Sequence, residues 1–258
     1  MCSSPAHPSD PLVAVSQVVR GWSLNLYPGA GEAGGAWVSG GAVMRVYVPA
    51  GEASDPERAA SEAARRARGK IRRYGTANRL NRLGTLTYAG DGNHDPLLLR
   101  RHLGEFFRSL RAGLGGDPLP YLWVPEWHKT GHGLHAHFAV GQYIRRSLIV
   151  SAWGHGFVHI KLLGDLPVGT GPIGEARRAA GYLAKYVGKG FEDVPVPGLH
   201  RYEVAQGFEP QSVQLRGKSL DEVMGQACEA MGGPPVYVWQ SQIADGWLGP
   251  PAVWASWD

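Results

Sequence analysis

The chain has 258 residues, 43% hydrophobic and 19% charged, with 37 glycines and 19 prolines. This is the balance of an ordinary soluble globular protein, long enough to bury a sizeable core and rich in turns. Its only cysteines, Cys2 and Cys228, exclude a disulfide framework or a cysteine zinc site, and no segment approaches the length of a membrane span. Met1 to Asp10 lacks the basic start of a signal peptide, and Ser16 and Gln17 interrupt the apolar run Pro11 to Val19, so a cytoplasmic protein is expected. The net charge of +4 is unevenly spread. Residues 57 to 82 hold nine Lys and Arg against two Glu, a local +7 that leaves −3 for the rest. A basic block on an otherwise slightly acidic chain suits a polyanion, most simply nucleic acid.

In chain order, Leu12 to Val19, Gly21 to Leu26 and Val43 to Val48 read as strands, separated by the Gly/Ala-rich stretch Gly29 to Gly41. Tyr27 and the first two tryptophans are expected to pack rather than catalyse. Ser54-Asp55-Pro56-Glu57 is a helix start, followed by an Ala/Arg-rich helix to about Tyr74. Arg65, Arg66, Arg68, Lys70, Arg72 and Arg73 cannot share one face of it. Together with Arg79 and Arg82 they are candidate DNA-binding residues. Gly84-Thr85-Leu86-Thr87-Tyr88 is a short β-branched and aromatic strand, and Asp95-Pro96 opens a helix with Leu99, Leu103, Phe106, Phe107, Leu110 and Leu114 at core spacing.

Tyr121 to His128 and Gly133-Leu134-His135-Ala136-His137-Phe138 form two strands joined as a hairpin by Lys129-Thr130-Gly131-His132-Gly133. Side chains alternate along a strand, so His135 and His137 share one face and Leu134, Ala136, Phe138 and Val140 the other. A hairpin loop of four residues sets Glu126 opposite His135 and a loop of six sets it opposite His137. Either register puts the carboxylate beside both imidazoles. Two neutral nitrogens and a carboxylate can hold a divalent ion with positions open for a substrate oxygen and water. His128 and His132 are alternative ligands, held less firmly on the turn.

Beyond the hairpin come a short helical pattern from Tyr143 to Trp153, a strand from Phe157 to Leu163, and a loop from Gly164 to Gly174. A helix from Glu175 to Gly188 follows. On that helix Tyr182, Lys185, Tyr186 and Lys189 fall on one polar stripe, beside the apolar stripe Ala180, Leu183, Ala184 and Val187. Lysines between tyrosines suit a phosphate and would stabilise a phenolate, whose free pKa is ~10. The tail holds expected strands at Arg201 to Val204, Ser212 to Leu215 and Val236 to Ile243, a helix from Leu220 to Ala230, and a Trp-rich terminus that covers the core. Interspersed helices and hairpins predict an α+β fold with a central, mainly antiparallel sheet flanked by helices. The expected division is a β-rich extension over 1–50, a catalytic core over 51–206 and a packed C-terminal segment over 207–258.

These motifs resemble the HUH endonuclease superfamily, in particular the rolling-circle replication initiators (Rep proteins) of plasmids and small DNA phages. Gly84 to Tyr88 is similar to motif I, Gly133 to Phe138 to the His-hydrophobic-His motif and Tyr182 to Lys189 to the tyrosine motif, in the family order. Ala136 is a smaller residue than the family's usual bulky one. Relaxases carry their tyrosine before the histidines, whereas here it follows. The resemblance spans about residues 58 to 206 and implies a ferredoxin/RRM-like core. It further implies His135 and His137 as ligands of Mg or Mn, with Glu126 as third ligand. Tyr186 would be the nucleophile and Tyr182 the second tyrosine, with Lys185 and Lys189 as the motif's lysines and Thr85 and Thr87 as support near the DNA.

The implied activity is strand-specific nicking and joining of single-stranded or hairpin origin DNA through a 5′-phosphotyrosine, which starts rolling-circle replication. No Gly-x-x-x-x-Gly-Lys-Ser/Thr segment is present, so a separate helicase and polymerase from the host are expected, and cleavage needs no nucleotide cofactor. A transposase or mobile-element nuclease of the same superfamily, and a non-catalytic DNA-binding regulator, remain open alternatives at this point.

Overall fold

The computed structural model describes residues 13–18, 20–46, 48–49, 52–162, 171–188, 200–244, 246–247 and 249–258. Lys189 and most of the expected loop after Leu163, residues 163–170, lie outside the described residues. The strands are β1 (Val13–Val18), β2 (Gly21–Tyr27), β3 (Glu32–Val38), β4 (Gly41–Val46), β5 (Arg82–Tyr88), β6 (Tyr121–Trp127), β7 (Leu134–Val140), β8 (Gly156–Leu162), β9 (Glu203–Val204), β10 (Val213–Gly217), β11 (Tyr237–Gln240) and β12 (Ala252–Ser256). The helices are α1 (Pro56–Ala77), α2 (Pro96–Gly113), α3 (Arg146–Trp153), α4 (Pro172–Ala184) and α5 (Leu220–Met231). The fold is α+β, with two five-stranded antiparallel sheets and a β1-β4 ribbon. None of the described helices is long and apolar enough to cross a membrane.

The central sheet has the order β8-β5-β7-β6-β9. Strand alternation sends Leu86, Tyr88, Trp123, Ala136, Phe138 and Val158 to one face, where they meet Leu99, Leu103, Phe106 and Phe107 of α2 and Ile149 and Trp153 of α3. The α2 stripe follows the three- and four-residue spacing of its apolar residues, and Asp95 caps the helix by accepting from the backbone N–H groups of Leu97 and Leu98. The opposite face sends Leu83, Leu122, Val124 and Ala139 against Ala67, Ile71 and Tyr74 of α1 and Ala179, Ala180 and Leu183 of α4. Those helices cover one end of this face. The other end carries Thr85, Thr87, Glu126, His135 and His137 in adjacent strands.

The second sheet, in the order β10-β2-β3-β12-β11, joins the first forty residues to the last fifty. One of its faces buries Trp22, Leu24, Leu26, Ala33, Val253 and Ala255 under Val223 and Ala227 of α5. Its other face meets α1. There Glu32, only 2% exposed, accepts from Arg72 (Nε to Oε2, 2.7 Å) and pairs with Arg73 (3.5 Å), while those guanidiniums lie over the rings of Trp254 and Tyr27 at 5.0 and 4.7 Å. Helix α1 is thus held between the two sheets.

Several elements depart from expectation. The Gly/Ala-rich stretch 29–41 contains β3, where Gly35 is needed because a Cβ there would lie 2.0 Å from the Ser23 carbonyl oxygen of the paired strand. A strand without side chains at Gly34 and Gly35 shows no alternation. The Trp-rich terminus contains β12, paired to β3 and β11. Helix α3 starts at Arg146 rather than Tyr143, and α1 runs to Ala77. The tyrosine helix ends at Ala184, four residues short of the expected Gly188, and Tyr186–Gly188 forms a separate 3₁₀ turn.

Candidate metal and nucleophile site

The site is built on the β6-β7 hairpin. The backbone N–H of His128 donates to the Gly133 carbonyl (2.8 Å), leaving the four residues 129–132 as the loop. This is the shorter of the two expected registers, and it sets Glu126 opposite His135. Gly133 takes φ +86°, and a Cβ there would lie 2.3 Å from the Asn93 carbonyl oxygen, so glycine is required where the hairpin meets the β5-α2 loop. The Leu134 N–H donates to that same carbonyl (2.6 Å), locking the start of the histidine strand. On the neighbouring strand Gly84 leaves room for the Phe138 ring, since a Cβ would come within 2.2 Å of it.

Glu126, His135 and His137 converge on one point. Glu126 Oε2 is 3.0 Å from His135 Nε2 and 2.8 Å from His137 Nε2, and the two nitrogens are 3.0 Å apart. The imidazole planes are nearly perpendicular, at 87°, so their in-plane lone pairs can meet. Three donor atoms at these separations match adjacent corners of an octahedron with bonds of roughly 2.1 Å, the geometry that small divalent cations favour. Both histidines are only 8% exposed. Burial holds both imidazoles below the ordinary histidine value. The neighbouring His137 adds to the effect on His135, and Glu126 opposes it at both. They are therefore neutral near pH 7, the form a cation requires. His137 Nδ1 lies 3.0 Å from Thr85 Oγ1, and with Nδ1–H donating there, Nε2 keeps its lone pair towards Glu126. His135 Nδ1 is buried and has no hydrogen-bond partner. Three lone-pair atoms packed this closely repel one another unless a proton or cation lies among them, so the donor set fits a metal ion.

The two alternative ligands from the turn point elsewhere. His132 Nε2 bonds the Tyr88 carbonyl (3.0 Å) and His128 Nδ1 bonds Thr130 Oγ1 (2.7 Å). A second group, His102, Glu105 and His155, also brings three donors within 4.8 Å of one another. Its imidazoles are stacked at 3.8 Å with planes 13° apart, so their lone pairs run side by side instead of converging.

The break in α4 is what brings a tyrosine to the triad. With the chain turning after Ala184, the Tyr186 ring stacks on His137 at 4.1 Å and 22°, and its hydroxyl donates to Tyr182 Oη (2.7 Å). The expected single polar stripe is replaced by two tyrosines that meet at their hydroxyls, with Lys185 exposed on the intervening turn. Burial first, then the Tyr182 hydroxyl and the Glu126 charge, push the Tyr186 hydroxyl above its ordinary value. It is protonated at neutral pH and needs a nearby cation to become a nucleophile.

The eight basic candidates divide into groups. Arg65, Arg66, Arg68 and Lys70 are exposed on α1, with Arg66 also pairing Glu62 at 3.6 Å. Arg72 and Arg73 are engaged with Glu32, and Arg79 donates to the carbonyls of Gly29 and Thr76 (2.8 and 2.6 Å). Arg82 lies over the Tyr143 ring at 5.7 Å. Arg66, Lys70 and Arg73 line a cleft of about 750 Å³ together with Arg100, His200 and Arg201. Arg201 donates to the Val187 carbonyl (3.4 Å), beside Tyr186. Neither the bond from His137 to Thr85 nor the place of Arg201 in this cleft was legible in the sequence, because both follow from pairing between distant residues. The one available signal was the alternation Thr85-Leu86-Thr87, which puts both threonines on one face of their strand.

Residues 81–191 match the family model of the ORF2-type replication-associated proteins. The matched segment starts just before β5 and ends beyond Tyr186, so it holds Glu126, both histidines and both tyrosines. The resemblance to replication initiators is thereby borne out at the level of the family. No curated protein and no solved structure matches the chain.

Proposed function

We propose that this protein is a replication initiator that nicks and rejoins one strand of single-stranded or hairpin origin DNA through a covalent tyrosine link. The observation that carries this reading is the stacking of Tyr186 on His137 at 4.1 Å, which sets a phenol beside the Glu126, His135 and His137 donors. Those three residues would hold Mg or Mn, which when bound draws charge from the non-bridging oxygens of the scissile phosphate.

In the reaction Tyr186 Oη attacks phosphorus in line with the leaving oxygen. The new bond is Tyr186 Oη to phosphorus and the broken bond is phosphorus to O3′. This leaves a 5′-phosphotyrosine and, after protonation, a free 3′-OH. The phenolic proton has an immediate acceptor in Tyr182 Oη, 2.7 Å away, on its path to water. Lys185 and Lys189 would screen the phosphate charge, and Thr85 would hold His137 in the ligating tautomer. Attack by a 3′-OH on the phosphotyrosine reverses the step, so the bond energy is kept and no nucleotide is consumed. Tyr182 is close enough to accept a second strand. The α1 cleft, rich in Arg and Lys, would track the backbone of the bound DNA. The free 3′-OH would prime a host polymerase, with a host helicase opening the duplex.

The test is incubation with labelled hairpin oligonucleotides and Mn, followed by denaturing electrophoresis. A denaturation-resistant protein–DNA adduct is expected, lost in Tyr186→Phe and in His135→Ala. No adduct with any oligonucleotide or metal, or an adduct that persists in Tyr186→Phe, would overturn the proposal.

A further inference from the structure

Strand β8 is an edge of the central sheet, and its register with β5 continues the rows that hold the candidate site. Phe157 lies directly opposite Thr87, which lies opposite His135, which lies opposite Glu126. His159 likewise continues the row of Thr85 and His137, and Lys161 the row of Leu83 and Ala139. All three side chains therefore stand on the metal-site face, while the alternating residue Val158 is buried on the other. Helices α1 and α4 cover the far end of this face, where Leu83 and Ala139 lie. Phe157 is 69% exposed, His159 and Lys161 are exposed, and none of the three is acidic.

An aromatic ring standing open on a sheet face is a poor packing residue but a good platform for a flat partner. Two strand spacings put Phe157 roughly 10 Å from His135, on the scale of one or two nucleotides from a phosphate at the triad. His159 and Lys161 follow at steps of roughly 7 Å along the strand, matched to successive phosphates of an extended chain. A base can reach such a ring only when it is unstacked from its neighbours, which selects single strands over duplex.

We infer that Phe157 is a stacking platform for an unpaired base next to the scissile phosphate, with His159 and Lys161 holding the adjoining backbone. This rests on the reading of the triad as a DNA-processing centre. The face commits to single-stranded DNA by its aromatic ring, its positive flank and its continuity with the triad.

The full-length protein is titrated, without added metal, into a fluorescent twenty-residue oligo-dT and into a duplex of equal length, and is photo-cross-linked to the same oligomer carrying 5-iodouracil. The cross-link is expected on Phe157 by mass spectrometry. Phe157→Ala should bind oligo-dT roughly 5- to 150-fold more weakly while Phe157→Trp restores binding, the range given by one aromatic–base stack. The duplex should be insensitive to either change. Circular dichroism of each variant guards against misfolding, and the exposed site makes that check straightforward. If the wild type binds oligo-dT but Phe157→Ala binds equally well and cross-links fall elsewhere, the platform is refuted while the nicking proposal stands. If the wild type binds no single strand at all, both fall.

Discussion

Replacing Thr85 with valine tests whether the hydroxyl beside His137 supports a metal site. Valine keeps the β-branched shape and the strand preference of threonine, so β5 and its pairing with β7 are retained. What disappears is one hydrogen bond, between His137 Nδ1 and Thr85 Oγ1 at 3.0 Å. His137 is 8% exposed, so its Nδ1 would be left largely without water, an unmet group that costs ~1–3 kcal/mol. Thr85 itself is half-buried, which lets some water in and puts the expected loss of stability near ~1 kcal/mol. The effect on a bound cation is larger in proportion, because without the orienting bond the ring can rotate and change tautomer. Removing such a supporting bond typically weakens metal binding ~10- to 100-fold. Isothermal titration with Mn at fixed pH reads the affinity, and urea denaturation without metal reads the stability. Thr85→Ser should restore both. Unchanged Mn affinity in Thr85→Val, with the fold intact, would refute the role given to this hydrogen bond.

Glu32→Gln should destabilise the protein by ~2–3 kcal/mol, below the usual range for breaking a buried ion pair because Arg72 and Arg73 can each reach water in part. Urea denaturation measures it, and a loss under ~0.5 kcal/mol would show that the two sheets are not joined through this carboxylate. Gly84→Ala should cost ~1–3 kcal/mol or more, since the added carbon would overlap the buried Phe138 ring, and a neutral result would remove the packing reason for glycine in this motif. Neutralising Arg66 and Lys70 together should lower the dependence of log affinity on log salt for single strands by up to ~1.4, about 0.7 for each phosphate no longer neutralised. An unchanged slope in anisotropy titrations would take the α1 cleft out of the DNA path.

Much of the central sheet could be read from local pattern. The three- and four-residue spacing in α2, the turn residues between Trp127 and Leu134, and the alternation around His135 and His137 each fix a local geometry, and together they set Glu126 against the histidines. The second sheet was hidden because residues 21–38 pair with residues 213–256, and long-range pairing leaves no periodic trace, least of all through Gly34 and Gly35. The charges on α1 could be counted but not apportioned. The buried partner that takes Arg72 and Arg73 lies about forty residues upstream, in a strand that itself was not evident. The end of α4 was misjudged for a related reason. No helix-breaking residue precedes Gly188, and the turn at Lys185 is fixed instead by the packing of Tyr186 on His137, a tertiary contact between residues 49 positions apart.

The most direct measurement is the identity of the residue that carries DNA. The protein is reacted with a cleavable hairpin oligonucleotide and Mn, digested with nuclease and protease, and the remaining nucleotide is located by tandem mass spectrometry. The expected result is a 5′-linked nucleotide on Tyr186, a free 3′-OH on the released strand, and no adduct in the presence of a chelator. A nucleotide carried by any residue other than Tyr186 or its neighbour Tyr182, or an adduct that forms equally well with the metal removed, would contradict a mechanism built on this triad and its stacked tyrosine.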